Sequence, residues 1–69
     1  MSEETIGDRI KLRLKALGIN QTQLSVLLGM TRANVSHYVT NKHNVPANVL
    51  PKLALALSCS EQWLKHGTE

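Results

Sequence analysis

Apolar residues recur along the chain at the three- and four-residue spacing of helices, with no alternating run that would make a strand. Ile6, Ile10, Leu14 and Leu17 fall at offsets of four, four and three, one stripe of a helix from about Thr5 to Leu17. Thr5 with Asp8 three residues on has the form of a capping box, and Gly18 suits the left-handed stop. Leu12 falls opposite Ile10 and is expected on the surface. A second segment, Gln21 to Leu28, is capped by Asn20, ended by Gly29 and turns Leu24 and Leu28 inward. A third runs from Arg32 to about Thr40, capped by Thr31 and ended by Asn41, a residue that tolerates positive φ. Its inner face carries Val35, Tyr38 and Val39; Ala33, Ser36, His37 and Thr40 lie outside. After a polar loop from Asn41 to Ala47, a fourth helix opens at Ala47 or Asn48 and reaches Leu57. Pro51 stands in its first turn, where no N–H is needed. Val49, Leu50, Leu53 and Leu57 form its stripe, and Leu55 points away. Ser60 caps a short fifth helix with Glu61 in its first turn, and Trp63 and Leu64 close the core.

Five helical segments without a repeat or linker read residues 1–69 as a single all-α domain. A chain of 69 residues buries only ~60% of the surface it exposes when unfolded, so its core is thin and large enzyme architectures are excluded. No run approaches the ~20 apolar residues of a membrane span. The one cysteine, Cys59, has no internal partner for a disulfide and reads as a small core hydrophobe in a reduced, cytosolic compartment.

Charge changes the picture more than composition does. The net charge of +3 hides an asymmetry: Glu3, Glu4 and Asp8 stand near the start, Glu61 and Glu69 near the finish. Between Arg9 and Ser60 lie seven cations and no anion: Arg9, Lys11, Arg13, Lys15, Arg32, Lys42 and Lys52. Such a field favours a polyanion, above all nucleic acid.

The region from Gln21 to Thr40 concentrates the signal. Two helices that cross steeply through a short turn need a small residue where they touch, a glycine where the backbone reverses and apolar inner faces. Ser25, Gly29, and Leu24, Leu28, Val35 and Tyr38 meet those needs. This is the spacing of the DNA-binding helix-turn-helix. From about Ile6 to Gly67 the chain resembles the operator-binding domain of the lambdoid phage repressor and Cro family, an XRE-like group. The residues that carry the resemblance are Gly18 to Leu24, Gly29 to Arg32, and Leu53 to Ser60 followed by Trp63 and Leu64. Ser25 stands where alanine is usual, and Asn41 where glycine is. Many relatives pair an arginine with a glutamate at the places of Leu14 and Val39, an exchange that packed apolar residues tolerate.

The resemblance implies a compact five-helix bundle of the lambda-repressor-like type, with the second and third helices as the helix-turn-helix. It also implies a transcriptional regulator that binds a palindromic operator on double-stranded DNA as a dimer, in the cytosol of a bacterial host. By motif position, Arg32, Ala33, Ser36 and His37 are the expected base contacts. Arg32 suits guanine O6 and N7, and Ala33 a thymine methyl. Gln21, Asn41, Lys42 and His43 are the expected phosphate contacts, with Gln21 helped by the end of its helix. Arg9, Arg13 and Lys15 are expected to act as long-range charge more than as contacts. By analogy with the family's dimers, Val45, Pro46, Val49, Glu61 and Leu64 are the expected meeting surface of a weak homodimer formed or strengthened on DNA.

Other chemistry finds little purchase. His37, His43, His66 and Cys59 lack metal-ligand spacing. Asp8 and Glu61, the carboxylates inside the helical segments, are explained by first-turn capping and dipole effects. No cofactor and no enzymatic activity are therefore expected. The competing reading is a helical protein-interaction module, antitoxin-like or anti-repressor-like, that has lost DNA. Such a module would display aromatic and aliphatic anchors on the outer face of the third helix, where this chain is polar apart from Ala33. At this length a Cro-like protein would be complete, whereas a repressor would continue into an oligomerisation domain; the sequence leaves both open.

Overall fold

The computed structural model describes residues 5–67. Glu3, Glu4 and Glu69, the acids expected to bracket the basic stretch, lie outside them. Five helices follow in order: α1 (Ile6–Leu17), α2 (Gln21–Leu28), α3 (Arg32–Val39), α4 (Leu50–Ala56) and α5 (Glu61–His66). The fold is all-α, as the periodicity requires.

Local chemistry sets most of the boundaries. Thr5 accepts the Asp8 N–H at the start of α1, and Ser60 accepts the Trp63 N–H at the start of α5. Asn20 and Gln23 form a full capping box on α2, the Asn20 Oδ1 accepting the Gln23 N–H at 2.8 Å and the Gln23 Oε1 accepting the Asn20 N–H at 2.9 Å. Gly18 and Gly29 end α1 and α2 at φ 70 and 67. In each case the next residue bonds back five positions, Ile19 N–H to the Leu14 carbonyl and Met30 N–H to the Ser25 carbonyl, the Schellman arrangement.

The core gathers Ile10 and Leu14 of α1, Leu24 and Leu28 of α2, Val35, Tyr38 and Val39 of α3, Leu50, Leu53 and Ala54 of α4, with Leu57 and Leu64. Leu14 and Val39, where many relatives carry an ion pair, are both buried apolar members of it. Leu12 and Leu55 are exposed, as expected.

Several expectations are corrected. Leu17 is 39% exposed, although it lies on the stripe. Ile19 packs against the core after the Gly18 reversal instead. Helix α4 opens at Leu50, not at Ala47 or Asn48. Residues 47–49 form a turn in which the Pro46 carbonyl accepts the Val49 and Leu50 N–H groups, and no side chain caps the helix. Pro51 stands in its first turn as expected. Cys59 is half-buried at the margin of the core. Burial pushes its thiol up despite the opposing Arg13 guanidinium, so it stays protonated and inert at neutral pH.

Candidate nucleic-acid interface

Helices α2 and α3 pack directly on one another across the Gly29–Thr31 turn. Ser25 is buried where they meet, and its hydroxyl donates to the Thr22 carbonyl at 2.6 Å. A small polar residue is thereby satisfied within its own helix, which is why serine serves where alanine is usual. Val35, Tyr38 and Val39 anchor α3 to the core, and the opposite face is turned out by the 3.6-residue repeat. Arg32, Ala33 and Asn34 are exposed there; Ser36 and His37 are half-buried. Asn34 was not singled out by the sequence, yet its place beside Arg32 on the exposed first turn makes it part of the same surface.

The electrostatics of this pair differ from those of α1 and α5. Asp8 and Glu61 sit in the first turns of α1 and α5, where a carboxylate complements the positive end of the helix. Helices α2 and α3 have no acid in their first turns. The first helical residue of α3 is instead Arg32, a cation at the positive end, which costs a few tenths of a kcal/mol to ~1 kcal/mol unless an anion is supplied. In α2 the capping box uses the Gln23 N–H, while Gln21 and Thr22 precede the first intrahelical donor, Leu24. Both helix starts are thus prepared for an external anion, with Gln21 half-buried at one of them.

The loop after α3 is tied to that helix. The Lys42 and His43 N–H groups donate to the His37 carbonyl at 2.8 and 3.2 Å. This places the exposed Lys42 and His43 side chains at the C-terminal end of α3, at the opposite end from Arg32. The His43 ring lies edge-to-face on the His37 ring, centroids 4.6 Å apart.

Asn41 departs from its expected role. Its φ of 62 ends the helix as anticipated. Its amide, however, is engaged with α1: Oδ1 accepts the Gly7 N–H at 3.0 Å and Nδ2 donates to the Thr5 hydroxyl at 3.0 Å. The side chain is a second cap for α1, which commits its Oδ1 and one Nδ2 hydrogen within the protein.

Arg9 and Arg13 depart further from the expectation of long-range charge. Arg9 is 5% exposed and donates from Nε to the Leu64 carbonyl at 2.7 Å and from a terminal nitrogen to the Lys65 carbonyl at 3.0 Å. Arg13 donates from Nε to the Leu57 carbonyl at 3.0 Å and more weakly to that of Ser58 at 3.4 Å. Both guanidinium groups satisfy carbonyls at the ends of helices, as cations at helix C-termini do.

Of the expected meeting surface, Pro46 and Glu61 are exposed and Val45 and Val49 half-buried. Leu64 is 0% exposed and belongs to the core, so it has no part in a contact between subunits. It faces inward from α5, whereas Glu61 and Gln62 lie outward and share a shallow cleft with Leu50, Lys65 and His66.

No three His, Cys, Asp or Glu side chains among the described residues gather as a metal set. No helix among them is long and apolar enough to cross a membrane.

Residues 10–64 match the helix-turn-helix family model. The structure is similar to that of the P22 c2 repressor protein in a crystal with synthetic operator 9T and Tl+. The TM-score is 0.88 at 30% sequence identity, covering 93% of this chain and 97% of that one. It is similar also to the solution structure of the DNA-binding domain of the P22 c2 repressor, residues 1–76, with a TM-score of 0.85 at 30% identity over 93% of this chain and 84% of that one.

Proposed function

The chain belongs to the helix-turn-helix family, and from that premise we propose that it is a sequence-specific transcriptional regulator that binds double-stranded DNA with α3 in the major groove. One observation carries this reading. Helices α2 and α3, packed on one another, have no acid in their first turns, and α3 begins with a cation beside the polar outer face of the pair. That arrangement is unfavourable in isolation and favourable against phosphate and guanine. The outer face of α3 carries no large apolar anchor of the kind a protein-binding face displays. The P22 c2 repressor, whose fold this chain shares, was crystallised with an operator.

In this reading Arg32, Ala33, Ser36 and His37 face base edges, joined by Asn34. Gln21, Lys42 and His43 hold phosphates on either side and fix the register of α3 in the groove. The regulator acts as a phage-type repressor or Cro-like protein. Two subunits bind a palindromic operator in the cytosol of a bacterial host, meeting through Val45, Pro46, Val49 and Glu61.

The test is selection of bound duplexes from a random pool. The expected product is a palindrome with half-sites about one helical turn apart, ~34 Å. Arg32→Ala should then relax preference at one base pair at a cost of ~1–3 kcal/mol, whereas Gln21→Ala should weaken all sequences about equally. A pool that shows no enrichment refutes the function; a profile unchanged by Arg32→Ala refutes the assignment of the reader.

A further inference from the structure

The loop behind α3 does more than redirect the chain. The Lys42 and His43 N–H groups close on the His37 carbonyl, and the Thr40 hydroxyl lies between the Ser36 carbonyl at 2.9 Å and that of His37 at 3.5 Å. The root of the His37 side chain is therefore pinned by the backbone that follows it. The ring is pinned as well, because His43 meets it edge-to-face at 4.6 Å with an interplanar angle of 70°. A histidine ring otherwise turns freely between two broad orientations about its second side-chain torsion.

This packing makes the two ring nitrogens unequal. Nδ1 of His37 is sealed from solvent and meets no hydrogen-bond partner. Nε2 of the half-buried ring is not sealed in this way. A neutral imidazole carries its proton on one nitrogen and a lone pair on the other. A buried N–H with no acceptor is the rarer and costlier of the two orphan states. The proton therefore belongs on Nε2, and the outward face of the ring is a donor.

On the reading of α3 as the groove-facing helix, we infer that His37 is a specificity-determining donor for guanine and that His43 is the positioning residue that holds it so. Guanine presents two adjacent acceptors in the major groove, N7 and O6. A single donor is satisfied by either acceptor of guanine, whereas adenine offers N7 alone beside an amino group that repels an N–H, and thymine offers O4 alone beside a methyl group. Released from His43, the ring turns, and Nε2–H no longer reaches the base edge alone.

The experiment uses the full chain and a random duplex pool, with the unaltered protein, His37→Ala, His43→Ala and His43→Phe compared after their helicity has been checked by circular dichroism. One guanine position should lose about threefold to tenfold of its preference in His37→Ala, the worth of a single hydrogen bond. His43→Ala should weaken preference at that same position. His43→Phe keeps a ring against His37 but removes any phosphate bond from position 43. It should retain the guanine preference while overall affinity falls. The inference is overturned if His43→Ala lowers affinity uniformly with the guanine preference intact, or if the position that depends on His37 selects an A·T pair. Absence of enrichment by the unaltered protein would instead bring down the functional reading itself, and this inference with it.

Discussion

At the scale of single residues, the arginines of α1 show how little a count of charges says about their use. Arg9 and Arg13 stand four apart, so they share one edge of the helix, each just before an inward residue of the stripe, Ile10 and Leu14. Their planar forks reach the carbonyls at the ends of α5 and α4, a geometry that a lysine ammonium does not reproduce. From sequence they read as long-range charge more than as contacts, because carbonyl partners leave no mark in a sequence. The signal that was available is their spacing along the margin of the apolar stripe. Arg9→Ala should strand buried carbonyls and destabilise the domain by about 2 kcal/mol, lowering the melting temperature by roughly 10 °C. Arg9→Lys should recover little of this, and the affinity of the folded fraction for DNA should not change. Thermal unfolding with parallel binding titrations checks it; a loss of affinity with unchanged stability would place Arg9 on the DNA instead.

At the scale of elements, helices and their caps were legible because their chemistry is local. Thr5, Asn20, Thr31 and Ser60 each act on a residue three positions on, and Gly18 and Gly29 act where they stand. What was not legible depends on contacts between distant segments. Gly7 of α1 is such a case. A Cβ there would run into the Val39 carbonyl and lie 2.8 Å from the Asn41 amide nitrogen, so glycine is what lets α1 approach the end of α3. Asn41 completes the junction from 34 residues away, capping the Gly7 N–H while holding a left-handed turn. Leu64 was read both as closing the core and as part of the meeting surface, since the two roles have the same periodicity until α5 is seen to pack on α1 and α4. The two functions of Asn41 are separable. Asn41→Gly keeps the turn and loses the cap, and should cost about 1 kcal/mol. Asn41→Ala loses the cap and strains the turn as well, and should cost about 1 kcal/mol more. Denaturant midpoints in the order Asn, Gly, Ala test the assignment; Ala equal to Gly would remove the strain from it.

At the scale of the whole molecule, charge and assembly are linked. With Arg9 and Arg13 committed to helix ends, the cations on the α2–α3 side are Arg32 and Lys42, with Lys11, Lys15 and Lys52 as a diffuse field. Two or three phosphates neutralised per subunit, in a complex of two subunits, give a log–log salt slope of about −4 to −5. A slope shallower than about −2 would mean that a single subunit binds, or that phosphate contributes little. The meeting surface sets the other half of the expectation. Without Leu64, it consists of the half-buried Val45 and Val49, the exposed Pro46 and the exposed, charged Glu61. Val45 and Val49 also pack against the core, so only part of each is free to meet a partner. A patch of these four residues is small against the roughly 20–30 residues a side of a stable interface, and a gain so limited does not cover the several kcal/mol lost when two free bodies become one. Operator DNA changes that balance by holding two subunits on adjacent turns, which turns their encounter into a local one at high effective concentration. Sedimentation at micromolar concentration should therefore find a monomer in free solution and two subunits on a palindromic duplex. Val49→Asp should leave the free protein unaltered in mass and weaken the second binding step alone. A tight dimer without DNA would mean that a larger surface than this one joins the subunits, and one subunit per full site would mean that none does.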